Sequence, residues 1–129
     1  MAAEARLIVN IDVPDLAAAT RFYADAIGLT PARLINGRER EMLGQGFSLW
    51  LLARAEGAGG RDYRRHWCPI HLDFAVDDHD AASARALAAG ALLESGPEDF
   101  AFGRIATFAD PFGHGFCLTQ FSAEGYDAQ

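Results

Sequence analysis

An internal repeat constrains the fold of this chain more than any other feature, because two sequence patterns occur twice in the same order. The first reads VPDLAAAT from Val13 and VDDHDAAS from Val76; the second reads GQGFSL from Gly44 and GHGFCL from Gly113. Such self-similarity indicates that one supersecondary unit is used twice. We therefore predict a single domain over residues 1–129, with a first module at about 6–53, a glycine-containing linker at 54–66 and a second module at about 67–121.

Each module is predicted to begin with a β-strand that has one apolar and one mainly polar side. The apolar sets are Leu7, Val9, Ile11 and Val13, which alternate with Ile8, Asn10 and Asp12, and Ile70, Leu72, Phe74 and Val76, which alternate with His71, Asp73 and Ala75. A period of two places successive side chains on opposite faces of a sheet. The apolar set of each strand is therefore expected to face a packed layer.

A helix and three further strands are predicted to follow in each module. Asp15 and Asp78 are placed to cap the two helices, and Gly28 and Gly90 to end them. Asn36-Gly37 is typical of a tight hairpin turn. The remaining strands are expected at 32–35, 38–43 and 47–52, and then at 91–94, 104–109 and 115–121. The pattern predicts an α+β fold with the order β-α-β-β-β in each module.

Three stretches also carry a resemblance to a known superfamily. They are VPDL from Val13 with Phe22-Tyr23 and Gly28-Leu29, HLDFAVDD from His71, and DPFGHGFCL from Asp110. In this order they resemble the vicinal oxygen chelate superfamily, which includes glyoxalase I, extradiol dioxygenases, fosfomycin-resistance enzymes and bleomycin-binding proteins. The resemblance implies two βαβββ modules whose curled mixed sheets surround a cavity, with the helices outside, and it implies a homodimer.

Combined with the strand alternation, the resemblance implies which side chains face that cavity. The expected residues are Asn10, Asp12, His71 and Asp73 on the first strands and Ser48, Trp50, Cys117 and Thr119 on the last strands. A polar interior of this kind is suited to a ligand, whereas a plain core would avoid it. Phe102 and Arg104 are further candidates, because the Glu98–Arg104 stretch is interpreted as a lid over the ligand or as a contact with a partner subunit.

The resemblance also bears on whether a metal is used. Metal-using members place ligands at positions that correspond here to Ile8, Ser48, His71 and Cys117. Ile8 cannot coordinate, Ser48 is a poor ligand while its hydroxyl is protonated, and Cys117 is a soft donor where the superfamily usually has a hard one. We therefore expect no cofactor and a metal-free site; if a metal is bound, His71 and Cys117 are the predicted ligands.

Several of these residues have a second interpretation that the sequence leaves open. His71 is a candidate base, a hydrogen-bond donor to a ligand, or a buried side chain without a function. Cys117 is a small buried thiol or a nucleophile activated by His71. Aromatic side chains that wall a ligand or fill a core are Trp50, Tyr63 and Trp67, and the basic cluster that forms a solvated linker or an anion contact is Arg61, Arg64, Arg65 and His66.

Composition excludes some classes of function. A net charge of −7 argues against nucleic acid as a partner, because phosphate binding needs a basic face. No apolar run approaches the roughly 20 residues of a membrane helix, and the first residues do not resemble a signal peptide. We expect a cytoplasmic protein in which Cys68 and Cys117 are separate thiols.

The sequence thus favours a metal-free small-molecule binding protein, with a preference for cationic ligands through Asp12, Asp73 and Trp50. The alternative is a lyase, isomerase or dioxygenase that uses His71 as a base or in a divalent metal site. A third hypothesis is an interaction module with a vestigial pocket.

Overall fold

A computed structural model describes residues 7–128. Its helices and strands follow one another in the order β-α-β-β-β, twice. They are β1 Val9–Val13, α1 Leu16–Ile27, β2 Thr30–Ile35, β3 Glu39–Leu43 and β4 Ser48–Ala53, then β5 Leu72–Ala75, α2 His79–Ala88, β6 Leu92–Phe100, β7 Gly103–Ala109 and β8 Gly115–Phe121. The described residues divide into two compact units, 7–24 with 28–62 and 25–27 with 63–128, and the division after Asp62 lies inside the predicted linker.

Each unit contains one four-stranded mixed sheet, and the two sheets have the same topology. The strand order is β1-β4-β3-β2 in the first unit and β5-β8-β7-β6 in the second. In both, the first strand pairs in parallel with the last, and the other pairs are antiparallel. This confirms the α+β class and the duplicated βαβββ unit that the repeat predicts.

The predicted helix caps and hairpin turn are present. The Asp15 carboxylate accepts a hydrogen bond from the Ala18 N–H at 3.0 Å, and Asp78 accepts one from Ala81 at 3.1 Å. Each bond satisfies an N–H that the first turn of a helix leaves without a partner. At the Asn36-Gly37 turn, both residues have the positive φ that such hairpins require (52° and 71°).

The predicted alternation places the core on one face of each sheet. In the first unit Val13, Leu49 and Leu51 are buried on the same face. In the second unit the Phe116 ring lies between Phe74 and Phe108, with ring centroids 5.9 and 5.6 Å away.

The strand predictions are wrong in two respects. Leu7 and Ile70 are 84% and 80% exposed, because both precede their strands and so have no sheet face to pack on. The strand expected at 91–94 continues to Phe100, and β6 pairs with β7 through two register shifts. The Glu98–Arg104 stretch is therefore the end of a β-hairpin and not a free loop.

Within residues 7–128, neither α1 nor α2 has the length and apolar character needed to cross a membrane.

Candidate functional site

The second sheet carries a polar face formed by neighbouring residues of β5, β7 and β8. Cys117 pairs with Asp73 on one side and with Thr107 on the other, so their side chains share one face. The Cys117 Sγ and Thr107 Oγ1 atoms are 3.5 Å apart, which confirms that placement. Donor atoms of His71, Asp73 and Cys117 all lie within 4.8 Å of one another. We call His71, Asp73, Thr107, Cys117 and Thr119 the polar face of the second sheet.

His71 and Asp73 are in hydrogen-bond contact at the exposed end of this face. The His71 Nε2 atom lies 3.0 Å from Asp73 Oδ1, and the two side chains are 36% and 43% exposed. In a neutral His71 this contact places the ring proton on Nε2, and Nδ1 keeps its lone pair. The pair can therefore hold one end of a ligand or accept a proton at Nδ1.

Cys117 lies deeper in the same face and is a neutral thiol at neutral pH. Burial is the main cause that raises the pKa of Cys117 above its usual value, and the Asp73 charge raises it further, while the hydrogen bond with Thr107 acts in the opposite direction. A thiol is a nucleophile or a metal ligand only as the thiolate. The structure therefore favours the interpretation of Cys117 as a buried hydrogen-bonding side chain.

Trp67 lies beside this face and packs against His71, with ring centroids 4.7 Å apart and ring planes tilted by 36°. The Arg65 guanidinium lies 5.3 Å from the Trp67 ring centroid and pairs with Glu94 through two hydrogen bonds, of which Nε–Oε2 is 2.6 Å long. Gly115 allows this arrangement, because a Cβ built there would lie 2.1 Å from Trp67 Cζ3. Arg65 therefore contacts Trp67 and Glu94 and is not only part of a solvated linker.

The first sheet also presents polar side chains on one face. Asn10 and Glu41 both pair with Trp50 across the strands, and Asp12 and Ser48 share that face through the alternation of β1 and β4. Asp12 accepts a hydrogen bond of 2.6 Å from Arg61 Nε, and the buried Glu41 lies 3.3 Å from Arg33. These carboxylates are therefore already paired with guanidinium groups.

Arg104 and Phe102 are not brought together with the polar face of the second sheet. Arg104 alternates with Ile105 on β7, and its guanidinium contacts Asp99 at 2.7 Å and Asp80 of α2 at 3.5 Å. Arg104 is therefore on the helix side of the sheet, opposite Cys117. Phe102 lies in the β6–β7 turn and stacks on Phe100, with ring centroids 5.3 Å apart.

The residues at the metal positions that the resemblance implies do not fit a divalent ion held by hard donors. Ile8 offers no donor atom, and Ser48 offers only a hydroxyl. The other two, His71 and Cys117, lie with Asp73 in a cluster whose donor atoms are within 4.8 Å of one another, and burial raises the pKa of the Cys117 thiol. A metal would have to displace the proton of that thiol before binding it.

The sequence predicts that His71, Asp73, Cys117 and Thr119 share one face, as they do in the structure, but it does not predict the contacts among Arg65, Trp67 and Glu94. The one sequence feature that could have indicated these contacts is the glycine at position 115. No positive φ demands a glycine at this position, so only the close approach of another group explains it.

Comparisons with known proteins agree with this fold. The family model described as a glyoxalase-like domain matches residues 8–119. The anthracycline biosynthesis protein DnrV of Streptomyces peucetius is 32% identical over 126 residues, which cover 93% of this chain. The chain spans only 42% of the length of that relative.

Two solved structures illustrate the structural similarity. TnmS3, an antibiotic binding protein from a Streptomyces species, is 26% identical with a TM-score of 0.66, over 94% of this chain and 100% of that one. The fosfomycin resistance protein FosX of Listeria monocytogenes is 19% identical with a TM-score of 0.76, over 95% of each chain. The similarity to FosX shows a shared fold.

Proposed function

Since the chain belongs to the glyoxalase-like domain family, we propose that it is a small-molecule binding protein that holds its ligand without a metal ion. The observation that carries the proposal is the chemistry of the polar face of the second sheet. It contains the buried thiol of Cys117, the buried hydroxyl of Thr119 and the half-buried hydroxyl of Thr107, and its exposed end is the His71–Asp73 contact. Such groups can bind a ligand by hydrogen bonds, and the one cluster of metal-ligating side chains among them, His71, Asp73 and Cys117, includes a soft donor that is protonated in the metal-free protein.

We propose a planar ligand that carries a cationic group. Trp67 packs against His71 and is 49% exposed, so its indole ring offers an aromatic surface to a planar ligand. Asp73 and the net charge of −7 favour a cation over an anion. The similarity to an anthracycline biosynthesis protein and to an antibiotic binding protein supports a ligand of the polycyclic antibiotic type.

Each unit has its own set of candidate binding side chains. The side chains predicted to contact a ligand are Asp73, Cys117 and Thr119 in the second unit, and Asn10, Asp12, Ser48 and Trp50 in the first. A ligand contact by Phe102 and Arg104 stays a prediction.

We also propose a cytoplasmic homodimer. Edge strands β2 and β6 expose apolar side chains, among them Leu34, Ile35, Leu92 and Leu93. Exposed apolar edges are candidates for contact with another copy. Sedimentation equilibrium tests this: a mass near twice that of the chain is expected, and a monomer at micromolar concentration contradicts it.

One observation favours a second function, that of a lyase, isomerase or dioxygenase. His71 with Asp73 forms the pair of base and orienting carboxylate that general base catalysis uses. His71→Ala separates the two functions. In an enzyme it abolishes turnover, whereas in a binding protein it weakens affinity only modestly.

Thermal unfolding in EDTA tests the proposed function. A free ligand at about 100 times its Kd stabilises a protein by roughly 2.7 kcal/mol. We expect an anthracycline, which is planar and carries an amine, to raise the Tm without added metal, and fosfomycin with Mn(II) to leave it unchanged. A shift that requires the divalent ion, or one equivalent of tightly bound metal in the purified protein, would contradict the proposal.

A further inference from the structure

Thr119 occupies a distinctive position on the polar face of the second sheet. It lies on β8, two residues after Cys117, and its cross-strand neighbours are Ala75 and Ile105. Because side chains alternate along a strand, Thr119 shares the face of Cys117 and Asp73. Its immediate strand neighbours on this face are apolar.

The Thr119 hydroxyl is buried without a hydrogen-bond partner. The residue is 2% exposed, and within residues 7–128 no group hydrogen-bonds to its Oγ1 atom. Buried hydroxyls are normally paired, and an unpaired one destabilises the folded state. Valine would fill nearly the same volume without that penalty, so packing alone does not explain a threonine here.

Other threonines of the chain show the ordinary pattern. Thr107 Oγ1 contacts Cys117 Sγ, and Thr20 Oγ1 donates a hydrogen bond of 2.7 Å to the Leu16 carbonyl. Thr119 therefore differs from both in that its hydroxyl is left available to a group that is not part of residues 7–128.

The surroundings of Thr119 define what that group is. Its cross-strand neighbours carry no charge, and the His71–Asp73 pair lies toward the other end of β5. A carboxylate or ammonium group beside Thr119 would be desolvated against the apolar Ala75 and Ile105, and the nearest charge on this face, Asp73, is already bonded to His71. An uncharged oxygen loses little on desolvation and gains a hydrogen bond.

We infer that Thr119 is a specificity-determining residue that hydrogen-bonds an uncharged carbonyl or hydroxyl oxygen of the ligand, while charged parts of the ligand lie toward His71 and Asp73. The inference rests on the proposed function. It narrows the ligand class to molecules with a neutral oxygen function at one end and a cation at the other.

Thr119→Val tests this with two measurements, the Tm of the ligand-free protein and the Kd for an anthracycline from fluorescence titration in EDTA. An anthracycline provides quinone and hydroxyl oxygens as well as an amine. We expect Thr119→Val to leave the ligand-free Tm unchanged or raised, because an unpaired hydroxyl is removed, and to weaken binding about tenfold. Thr119→Ser, which keeps the hydroxyl, should bind nearly as tightly as the wild type.

Thr20→Val is the matched control, since it makes the same replacement of a hydroxyl by a methyl group at a threonine whose hydroxyl donates a hydrogen bond to the Leu16 carbonyl. It should lower the Tm and leave the Kd unchanged. Wild-type affinity in Thr119→Val, or a Tm loss as large as that of Thr20→Val, would overturn the inference. If the wild type itself does not bind, the proposed function and this inference both fail. If the wild type binds and Thr119→Val binds equally well, only the inference fails, so the two failures are distinguishable.

Discussion

At the residue scale, the two cysteines lie in opposite environments. Cys68 is exposed, whereas Cys117 is buried and has a raised pKa. Only the thiolate reacts with alkylating agents, so both access and ionisation disfavour Cys117.

We predict that iodoacetamide at pH 8 modifies Cys68 at least about tenfold faster than Cys117. Peptide mass spectrometry over time measures both rates in one sample, and guanidinium-unfolded protein is the control in which the rates should converge. Modification of Cys117 first would show that its thiol is activated, and it would favour the nucleophile interpretation.

The Arg65–Glu94 pair should make stability depend on pH. Its hydrogen bonds to Arg65 hold the pKa of Glu94 below its usual value, although burial acts in the opposite direction. A carboxyl with a lowered folded-state pKa stabilises the fold above its unfolded-state pKa of about 4.3, and this stabilisation is lost as the pH falls through the folded-state value.

Glu94→Gln is therefore expected to lower the Tm at pH 7 and to differ less from the wild type as the pH falls below about 4. The effect should be small, because the pair is about one-third exposed to solvent. Thermal unfolding from pH 3 to 8 measures it, with the exposed Glu124→Gln as control. A difference that grows toward low pH would contradict the predicted sign.

At the element scale, local signals predict the helices well. Asp15 and Asp78 were identified from sequence as caps and make the expected hydrogen bonds. These positions depend on neighbours three residues away, so a local pattern suffices to predict them.

Asp15→Ala and Asp78→Ala should each destabilise the protein by about 1 kcal/mol in urea unfolding. Asp15→Asn and Asp78→Asn keep an acceptor oxygen and should stay within about 0.5 kcal/mol of the wild type. Equal stability of the alanine and asparagine variants would mean that the caps contribute nothing.

Strand β6 shows where local signals fail. The LLESGPEDF stretch contains glycine, proline and acidic residues, which disfavour strands. Pairing with β7 overrides this preference, and the register shifts near Ser95 and Glu98 accommodate Pro97 without a ladder hydrogen bond.

Gly115→Ala should displace Trp67 from its contact with His71, because the new methyl group would overlap the indole ring. The ring is on an exposed side chain and can move, so we expect a stability loss below about 1 kcal/mol. Trp67 fluorescence in a Trp50→Phe background measures the displacement. An unchanged emission spectrum would contradict the close approach of Trp67 to Gly115. The control is the stability of Gly115→Ala in a Trp67→Leu background, which reports other effects of the methyl group.

At the scale of the whole molecule, duplication predicts the topology because both halves obey one pattern. It also predicts which residues share a face, since alternation continues along each strand. The duplication could not predict that Trp67 packs against His71 or that Arg65 pairs with Glu94, 29 residues away. Such contacts depend on side-chain packing between separate elements. The placement of Arg104 on the opposite face from Cys117 did follow from alternation once the register of β7 with β8 was known.

The central claim is that the polar face of the second sheet binds a small molecule without a metal ion. Titration of isotope-labelled protein with an anthracycline in EDTA, followed by backbone amide NMR, tests it most directly. We predict that the largest shift changes fall on His71–Ala75, Ile105–Thr107 and Gly115–Thr119. No shift changes there, or changes that appear only after a divalent cation is added, would contradict the claim.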